Sequence, residues 1–409
     1  MSPAAHELLD VLIVGGGPAG ACAGALLACA PRSLKVGILE HARPIAPAPG
    51  SPLDARVSAL SRASEHILAS AGAWERIACE RLQPYERMRV WNAGAGPRAN
   101  VLVFDAAEAG EPNLGYIAEN RLVQAALIEA FEASGGRLFE DKLAAVRVHD
   151  EHVEAQTATG TLAARLIVGA DGARSAVRQA IGLTAEVASY RQTAIVANVA
   201  TEQSHARTAW QRFLGSGTLA LLPLADGASS IVWSADTELA QRLLEASPEE
   251  FERELESASQ GVLGALRLKT ERFSLALTRL AAHRYTAHRA ALIGDAAHVV
   301  HPLAGQGANL GLLDAAVLAE VITQASAQGE DPGAAWALRR YERWRKSEVQ
   351  LMALAIDAFD RFLAHGSGPL AELAQRGLAW VDRSAEMKRV FIARALGLKG
   401  ELPQSARAR

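Results

Sequence analysis

The sequence predicts an α/β fold with a Rossmann-like domain, a second domain built on an antiparallel sheet, and a C-terminal helical region. The strand-like run Leu8–Val14 leads through glycines into a helix-like stretch, Ala19–Ala30, and then a second buried strand, Lys35–Leu39. This order is a βαβ unit. Short strand-like runs between residues 193 and 237 predict the antiparallel sheet, and from Asn309 onward the pattern is mainly helical.

The remaining elements follow from the same kinds of pattern. The Pro- and Ala-rich run Arg43–Pro52 is expected to be a loop. Apolar residues at helical spacing predict a helix over Arg121–Phe131. The other predicted elements are strands at Asp141–His149, Val153–Thr157, Leu166–Gly169, Ile195–Val199, Leu219–Leu222, Ile231–Trp233 and Ala290–Ile293, with turns at Thr159-Gly160 and Asp226-Gly227.

The composition excludes several classes of protein. The 409 residues are 50% hydrophobic and 21% charged, which is enough apolar material for a large core and excludes a disordered chain. The 42 basic and 45 acidic residues form no block of one sign, so nothing indicates nucleic-acid binding. Cys22, Cys29 and Cys79 fit neither a disulfide framework nor a zinc site, which predicts a cytoplasmic protein without a metal. Val11–Ala30 is interrupted by glycines and is not expected to span a membrane.

The motif Gly15-x-Gly17-x-x-Gly20 stands between the first strand and the first helix. In such a turn Gly15 permits the tight bend, Gly17 lets the backbone approach a pyrophosphate, and Gly20 lets the helix pack on the strand. The helix N-terminus attracts phosphates through its free N–H groups and its dipole. Glu40, at the end of the second strand, can accept hydrogen bonds from ribose hydroxyls. The pattern predicts a dinucleotide site.

Two further motifs lie at predicted strand ends. Gly294-Asp295 follows a strand, and Pro302 and the glycine-rich stretch Gly305–Asn309 precede a long helix. Backbone N–H groups at that helix N-terminus can bind a heterocycle carbonyl or a developing negative charge. The third motif is an Asp-Gly turn at Asp171, after the strand Leu166–Gly169. A purely structural turn is the alternative interpretation of both motifs.

In this order and spacing, the three motifs resemble those of the flavoprotein aromatic hydroxylases, which bind FAD and use NAD(P)H and O₂. The resemblance implies that Arg56 and Arg121 contact the phosphates or the ribityl chain, for which an Arg fork is suited. Surface ion pairs are the alternative for both. His298 and His301 lie near the flavin by motif position, but structural roles are favoured and no catalytic base is assigned. The other residues that the resemblance places at FAD are Gly15, Gly17, Gly20, Glu40, Asp171, Asp295, Pro302, Gly305, Gly307, Ala308 and Asn309.

Longer strings narrow the resemblance to the flavin hydroxylases of ubiquinone biosynthesis, which are class A FAD monooxygenases, over residues 10–402. The run Arg56–Glu65 and the tail Arg394–Gly400 are most similar to the 2-polyprenylphenol hydroxylase branch, which acts at ring carbon 5. Sister branches act at carbons 6 and 7. Other strings that carry the resemblance are Leu53–Ser64, Gly115–Arg121, Leu221–Leu224, Ser230–Trp233, His301–Gly311 and Tyr341–Lys346.

The resemblance implies that the protein hydroxylates the aromatic ring of a polyprenylated phenol, at carbon 5 in preference to carbon 6 or 7. The hypothesis is that O₂ reacts through a flavin C4a-hydroperoxide, with NAD(P)H as a transient electron donor. Two alternatives stay open. The substrate is a small soluble aromatic, or the chain is a flavin-binding scaffold subunit of a ubiquinone-synthesis complex.

We expect residues 1–185 and 285–340 to form a discontinuous FAD-binding domain. Residues 186–284 are expected to form the substrate domain, joined by part of residues 76–110. Residues 341–409 complete the chain as the C-terminal helical region.

Two further features bear on the substrate and on partners. Candidates for the roof over the substrate ring are Leu221, Leu222, Pro223 and Trp233, but ordinary core packing is the favoured interpretation of each. Basic and apolar residues alternate between Lys388 and Lys399. Such an amphipathic segment suits peripheral contact with anionic lipid at the inner membrane face, or docking on other ubiquinone-biosynthesis proteins.

Overall fold

The computed structural model describes residues 8–31, 34–78, 81–92, 102–301, 305–359, 397 and 400–407. In chain order the strands are β1 (Leu9–Val14), β2 (Val36–Glu40), β3 (Val57–Leu60), β4 (Gln83–Tyr85), β5 (Arg87–Asn92), β6 (Leu102–Asp105), β7 (Gly115–Glu119), β8 (Arg137–Glu140), β9 (Leu143–Val148), β10 (Val153–Thr157), β11 (Thr161–Gly169), β12 (Ala185–Thr201), β13 (Thr208–Leu214), β14 (Gly217–Pro223), β15 (Ser229–Asp236), β16 (Leu266–Leu268), β17 (Phe273–Ala282), β18 (Thr286–Ala287), β19 (Ala290–Leu292) and β20 (His298–Val299). The α-helices are α1 (Pro18–Ala28), α2 (Arg62–Ser70), α3 (Trp74–Ile77), α4 (Ala106–Ala109), α5 (Asn120–Ala133), α6 (Ala176–Ala180), α7 (Thr237–Glu245), α8 (Pro248–Ser259), α9 (Gln306–Ala327) and α10 (Ala335–Phe359).

The first sheet is the Rossmann-like layer, and it confirms the predicted α/β fold. Its strand order is β18-β19-β11-β1-β2-β8, with β10 and β9 continuing from β11. β1 pairs in parallel with β2 and β11, and β11 pairs in parallel with β19. These strands are buried because helices cover them, and α1 packs against both α5 and α9. The carboxyl ends of β1, β11 and β19 therefore lie side by side.

The second sheet is antiparallel except at one pair of strands. Its order is β20-β17-β12-β15-β14-β13-β5-β6, with β16 beside β12, and β5 runs parallel to β13. One face of the sheet packs on α7 and α8 around Trp233, Phe251 and Leu255. β12 is 17 residues long, much longer than the predicted Ile195–Val199, because β15, β16 and β17 all pair with it. The exact domain boundaries stay a prediction.

Some elements were not anticipated from the sequence. β3, β7 and β4 form a small third sheet between the two larger ones. The helices α7 and α8 follow the stretch 193–237 that was expected to be antiparallel sheet, and they lie within the expected substrate domain, residues 186–284. The sequence does contain a start signal for α8, a Ser and a Glu at capping-box spacing. In the structure Ser247 and Glu250 form this reciprocal capping box at the helix N-terminus.

The long helix α9 lies in the protein core and begins three residues before the predicted Asn309. Among the described residues, one stretch is long and apolar enough to cross a membrane, the segment Gly307–Ala327 of this helix. Of its most apolar part, 67% is buried inside the protein. Its packing on α1, α2 and α10 accounts for the apolar sequence. The expected amphipathic segment between Lys388 and Lys399 lies, apart from Gly397, outside the described residues.

Candidate active site

The glycine-rich turn lies at the carboxyl end of β1, against the loop that follows β11. A Cβ atom at Gly15, where φ is +101°, would lie 2.4 Å from the carbonyl oxygen of Ala170. A Cβ atom at Gly20 would lie 2.0 Å from the carbonyl oxygen of Gly15. Both positions require glycine for packing. Gly17 differs, because no atom lies within 4 Å of its Cβ position and the backbone is open on that side.

Glu40 and Gln124 hold this turn in place. The Oε2 atom of Glu40 accepts a hydrogen bond from the N–H of Gly16 at 2.5 Å, and its Oε1 atom accepts one from the N–H of His41 at 2.9 Å. Gln124 of α5 donates from Nε2 to the carbonyl oxygen of Gly16 at 2.8 Å. Sequence reasoning missed Gln124, since no local pattern marks which residue of a helix touches the turn. The helix α5 is thereby tied to the glycine-rich turn.

Arg56 and Arg121 are brought together where β3 pairs with β7. The N–H of Asn120 donates to the carbonyl oxygen of Arg56 at 3.0 Å, so α5 begins beside the start of β3. Both arginines are exposed, and Arg121 makes a long contact of 3.5 Å with the carbonyl oxygen of Ile45. Within the described residues the Arg56 guanidinium has no hydrogen-bond partner. Gln124 lies one turn after Arg121 on α5, so Arg121 starts from the side of the helix that contacts the glycine-rich turn.

The carboxylate of Asp171 forms its hydrogen bonds within its own loop. Its Oδ1 atom accepts from the Ser175 hydroxyl at 2.5 Å, and its Oδ2 atom accepts from the N–H groups of Ala176 and Val177 at 2.7 and 3.1 Å. The carboxylate therefore caps the first turn of α6 and shapes the loop that contacts Gly15. This geometry fits the structural interpretation of the Asp-Gly turn better than a direct ligand contact.

Asp295 lies in a 3-10 turn, Gly294–Ala296, at the end of β19. The Cβ position of Gly294 is 3.1 Å from the Cβ atom of Ala19, and Gly311 of α9 approaches the same alanine at 3.2 Å. The first turn of α1 and the second turn of α9 thus meet at Gly294, next to Asp295. The carboxyl group is open to solvent on its free side but flanked by protein elsewhere. Desolvation raises the pKa of Asp295, the charge of His298 opposes this rise, and that of Asp314 adds to it.

The N-terminus of α9 is held against β3 by a buried amide. Asn309 accepts at Oδ1 from the N–H of Ser61 at 2.9 Å and from the hydroxyl of Ser64 at 2.7 Å. Its Nδ2 atom donates to the carbonyl oxygens of Ala59 and Gly305, at 2.9 and 3.3 Å. The side chain of Asn309 is thus committed to protein partners. It acts by fixing the loop.

The residues around Asn309 leave the helix end open. Gly305 has a φ of +64°, and its Cβ position is 3.1 Å from the Cβ atom of Ala59, so a side chain there would press on β3. Among the described residues, no atom lies within 4 Å of the Cβ position of Gly307, and Ala308 is half-buried beside it. No side chain of the described part of the chain caps α9, so its first N–H groups are open on that side. Pro302, which was predicted to belong to this loop, lies outside the described residues.

A buried charged group supports the Asp295 turn from below. Asp314, which is fully buried, accepts at Oδ2 from His298 Nε2 at 2.6 Å and from the N–H of Gly294 at 2.9 Å. Its Oδ1 atom accepts from Arg345 Nε at 2.7 Å. Burial tends to raise the pKa of Asp314, but the charges and hydrogen bonds of His298 and Arg345 hold it below its ordinary value. Asp314 and Arg345 were missed, since their role depends on packing between α9 and α10.

The antiparallel sheet turns its other face toward these loops. Gln192 accepts at Oε1 a hydrogen bond from His301 Nε2 at 2.8 Å, and Phe213 packs against Val300, just before the α9 loop. The neighbouring strands place seven residues in one row across this face. In strand order they are Phe273, Val196, Val232, Ala220, Gln211, Val90 and Leu102, which we call the apolar row.

The strand register separates the four residues considered for the roof of the site. Leu221 and Trp233 are 0% and 3% exposed and lie on the opposite face, in the core with α7 and α8. Pro223 has the same parity as Leu221 and also points away from the loops. Leu222 does lie on the loop side, where it packs near Ala59. Side chains alternate along a strand, so adjacent residues cannot share a face. A run of apolar residues therefore does not show which of its side chains face the site.

The loops at the sheet edge fit FAD. An uncapped helix N-terminus with open space at Gly17 suits a diphosphate, and the carboxylate of Glu40 lies beside it, bonded to the N–H of Gly16. The second uncapped helix N-terminus, at α9, lies beneath the antiparallel sheet and suits the polar edge of a flavin ring. Fold and site together define an FAD-dependent aromatic-ring monooxygenase.

Comparison with known proteins narrows this class. An FAD binding domain family model matches residues 8–353. The chain is 38% identical to the ubiquinone hydroxylase UbiL of Rhodospirillum rubrum, over 96% of this chain and 90% of that protein. It is 35% identical to the 3-demethoxyubiquinol 3-hydroxylase of Escherichia coli, over 96% of this chain and all of that protein. The chain belongs to the class A flavin hydroxylases of ubiquinone biosynthesis.

Solved structures support the fold. The p-nitrophenol 4-monooxygenase PnpA of Pseudomonas putida superposes with a TM-score of 0.76 at 20% identity, covering 97% of this chain and 99% of that one. PqsL of P. aeruginosa, in complex with 2-aminobenzoylacetate, superposes with a TM-score of 0.74 at 23% identity, covering 92% of this chain and 100% of that one. At these identities the likeness concerns the fold alone.

Proposed function

We propose that this protein hydroxylates the aromatic ring of a polyprenylated phenol in ubiquinone biosynthesis, at ring carbon 5. The observation that carries the substrate class is the apolar row on the loop-facing side of the antiparallel sheet. It begins at the exposed Phe273, which is 49% exposed, and continues through the half-buried Val196, Val232 and Ala220. At a strand spacing of about 4.8 Å, the path from Phe273 to Gln211 is about 19 Å long. Such a path suits a prenyl chain that enters from the protein surface.

Among the described residues, the lack of charge next to the apolar row supports a neutral substrate. On the five inner strands the described residues around the apolar row are all uncharged, whereas a small aromatic acid needs a cationic partner for its carboxylate. This disfavours the small soluble aromatic acids as substrates. The residues concerned are Ala194, Val196, Asn198, Ser230, Val232, Ser234, Thr218, Ala220, Leu222, Ala209, Gln211, Phe213, Met88, Val90 and Asn92.

The cofactor residues have separate roles in this proposal. Gly15, Gly17 and Gly20 let the first helix present its N–H groups to the diphosphate, and Glu40 binds the ribose. Arg56 and Arg121 neutralise the phosphates. When bound, FAD supplies the electrons and activated oxygen for hydroxylation.

In this proposal the remaining residues position the cofactor and do not neutralise its charge. Asp295 holds the ribityl chain, and Gly305, Gly307, Ala308 and Asn309 form the helix end under the flavin, with Pro302. Asp171 shapes the neighbouring loop.

The electron donor and the location of the protein extend the proposal. NAD(P)H delivers electrons transiently, since the chain carries one dinucleotide fingerprint and FAD occupies it. The protein works in the cytoplasm with peripheral contact at the inner membrane face, where a prenylated substrate resides. The exposed Leu351 and Leu354 of α10, 51% and 66% exposed, add apolar surface next to the C-terminal region. Contact with other ubiquinone-biosynthesis proteins is the second use of such a surface.

The test uses FAD-loaded protein, NADH or NADPH, isotopically labelled dioxygen and phenols that carry prenyl chains of increasing length. We expect one labelled oxygen in the product, substitution at carbon 5 by NMR, and affinity that rises with chain length, since each buried CH₂ contributes about 0.8 kcal/mol. FAD affinity is measured separately by flavin fluorescence. Hydroxylation of small phenols with no effect of chain length supports the first alternative. FAD binding without hydroxylation of any phenol supports the scaffold, and a different carbon refutes the positional assignment.

A further inference from the structure

Gln211 carries a buried amide that lacks a protein partner. It lies in the middle of β13, within the apolar row, and is 5% exposed. In the part of the chain that the structure describes, its side chain makes no hydrogen bond. The amides of Gln192 and Asn198, on the same face, are bonded to His301 and to the backbone of the loop before β3. Of the described amides on this face, Gln211 is the one that is both buried and without any hydrogen bond, since Asn92 is half-buried and Asn198 lacks a partner at Oδ1 alone.

The surroundings of Gln211 determine what can satisfy the amide. Its neighbours across the sheet are Ala220 on β14 and Val90 on β5, neither of which offers a polar side chain. Buried amides in native proteins are almost always hydrogen-bonded, so this amide is expected to bond to a water molecule or to a ligand that displaces it. An amide both donates and accepts, which suits a neutral hydroxyl or ether oxygen and gives no preference for an anion.

We propose that Gln211 binds the ring oxygen of the substrate and thereby determines which ring carbon faces the flavin. This inference rests on the proposed function, because the apolar row then delivers a prenylated ring to Gln211. The ligand is a neutral aromatic ring with an oxygen substituent. The amide stays neutral at every accessible pH, so Gln211 orients the ring without taking its proton.

The experiment compares two probes, a farnesylated phenol and the farnesylated benzene that lacks the ring oxygen. Binding to the oxidised, FAD-loaded protein is followed by the change in flavin absorbance. We expect the wild-type protein to prefer the phenol about tenfold, as one hydrogen bond to a buried partner predicts. In Gln211→Leu this preference should fall to about twofold or less, with FAD affinity and melting temperature unchanged. Gln211→Asn keeps the amide and should restore part of the preference.

The control is Gln241→Leu, since Gln241 lies on α7 and bonds to Glu245 on the surface. This variant should keep the tenfold preference. A Gln211→Leu protein that still prefers the phenol tenfold and yields the same regioisomer overturns the inference, even if prenylphenol is hydroxylated. If no phenol is hydroxylated while the preference still depends on Gln211, the proposed function fails and the binding role of Gln211 stands.

Discussion

The loops that fit FAD and the sheet face opposite them are built in different ways. In the loops, the polar side chains are committed to backbone partners, as in Asn309, Asp171 and Asp314. On the sheet face, Val196 and Val232 are half-buried and lie next to uncharged neighbours. Hydrogen bonds thus fix the conformation of the loops on the cofactor side, while the substrate side depends on shape and apolar surface. Substitutions on the two sides should therefore fail in different assays.

The largest effect is expected at Gly20. In Gly20→Ala the new methyl group would press on the carbonyl oxygen of Gly15, and we expect a loss of about 3 kcal/mol in the free energy of unfolding, together with loss of FAD. Urea unfolding of the apoprotein and flavin content of the purified protein are the measurements.

Gly17→Ala is the matched control, because its Cβ position is open. The apoprotein should keep its stability within about 1 kcal/mol, while FAD affinity falls about tenfold or more as the methyl group meets the diphosphate. Equal effects of the two substitutions on apoprotein stability would contradict the difference in packing.

The next largest effect concerns Asp314. Asp314→Asn leaves His298 and Arg345 with an uncompensated buried positive charge, which should destabilise the protein by about 3 kcal/mol or more. Because the pKa of Asp314 is lowered on folding, its contribution is fully present above its unfolded pKa of about 3.9 and is lost as pH falls through the lower folded pKa.

Unfolding of wild-type and Asp314→Asn protein between neutral and acidic pH checks this sign. The difference in stability should shrink as the pH falls below about 4. Asp226→Asn is the control, because the exposed pair of Asp226 with Lys269 should contribute less than about 1 kcal/mol. A stability difference that grows on acidification would show that the lowered pKa is wrong.

A charge in the apolar row tests the substrate side. Val232→Lys places an ammonium group next to Val196 and Ala220, and we expect the affinity for a prenylated phenol to fall about tenfold or more, because the charge must be desolvated. FAD affinity should stay within about twofold. Flavin fluorescence and absorbance titrations measure the two affinities separately. An equal loss of both would show that the two sides of the site are not independent.

The smallest effect is expected for the exposed arginines. Arg121→Ala and Arg56→Ala should each weaken FAD binding about threefold to tenfold, since an exposed charge–phosphate contact is partly screened by solvent. Apoprotein stability should not change. The loss should shrink at high salt, and Arg147→Ala, on the exposed strand β9, should have no effect on FAD. An unchanged FAD affinity in both variants would contradict the proposal that these arginines contact FAD.

The sequence by itself determined the Rossmann-like unit, the family and the loops that fit FAD. Gly15 and Gly20 can be recognised from the sequence because close backbone contacts tolerate no side chain there, and such positions form a short local motif. The resemblance over nearly the whole chain identified the hydroxylase family. It did not reveal that Asp171 and Asn309 act mainly by holding loops.

Only the tertiary structure decided which strand faces the site and which distant residues support it. Leu221 and Leu222 are adjacent residues whose side chains lie on opposite faces of the sheet. Side chains alternate along a strand, and the pairing of five strands determines which face is toward the site. Gln211 stands out when strand register places it between Ala220 and Val90. Asp314 and Arg345 are 31 residues apart and meet through the packing of α9 on α10. Contacts of this kind depend on how whole elements pack, and a local pattern carries no record of them.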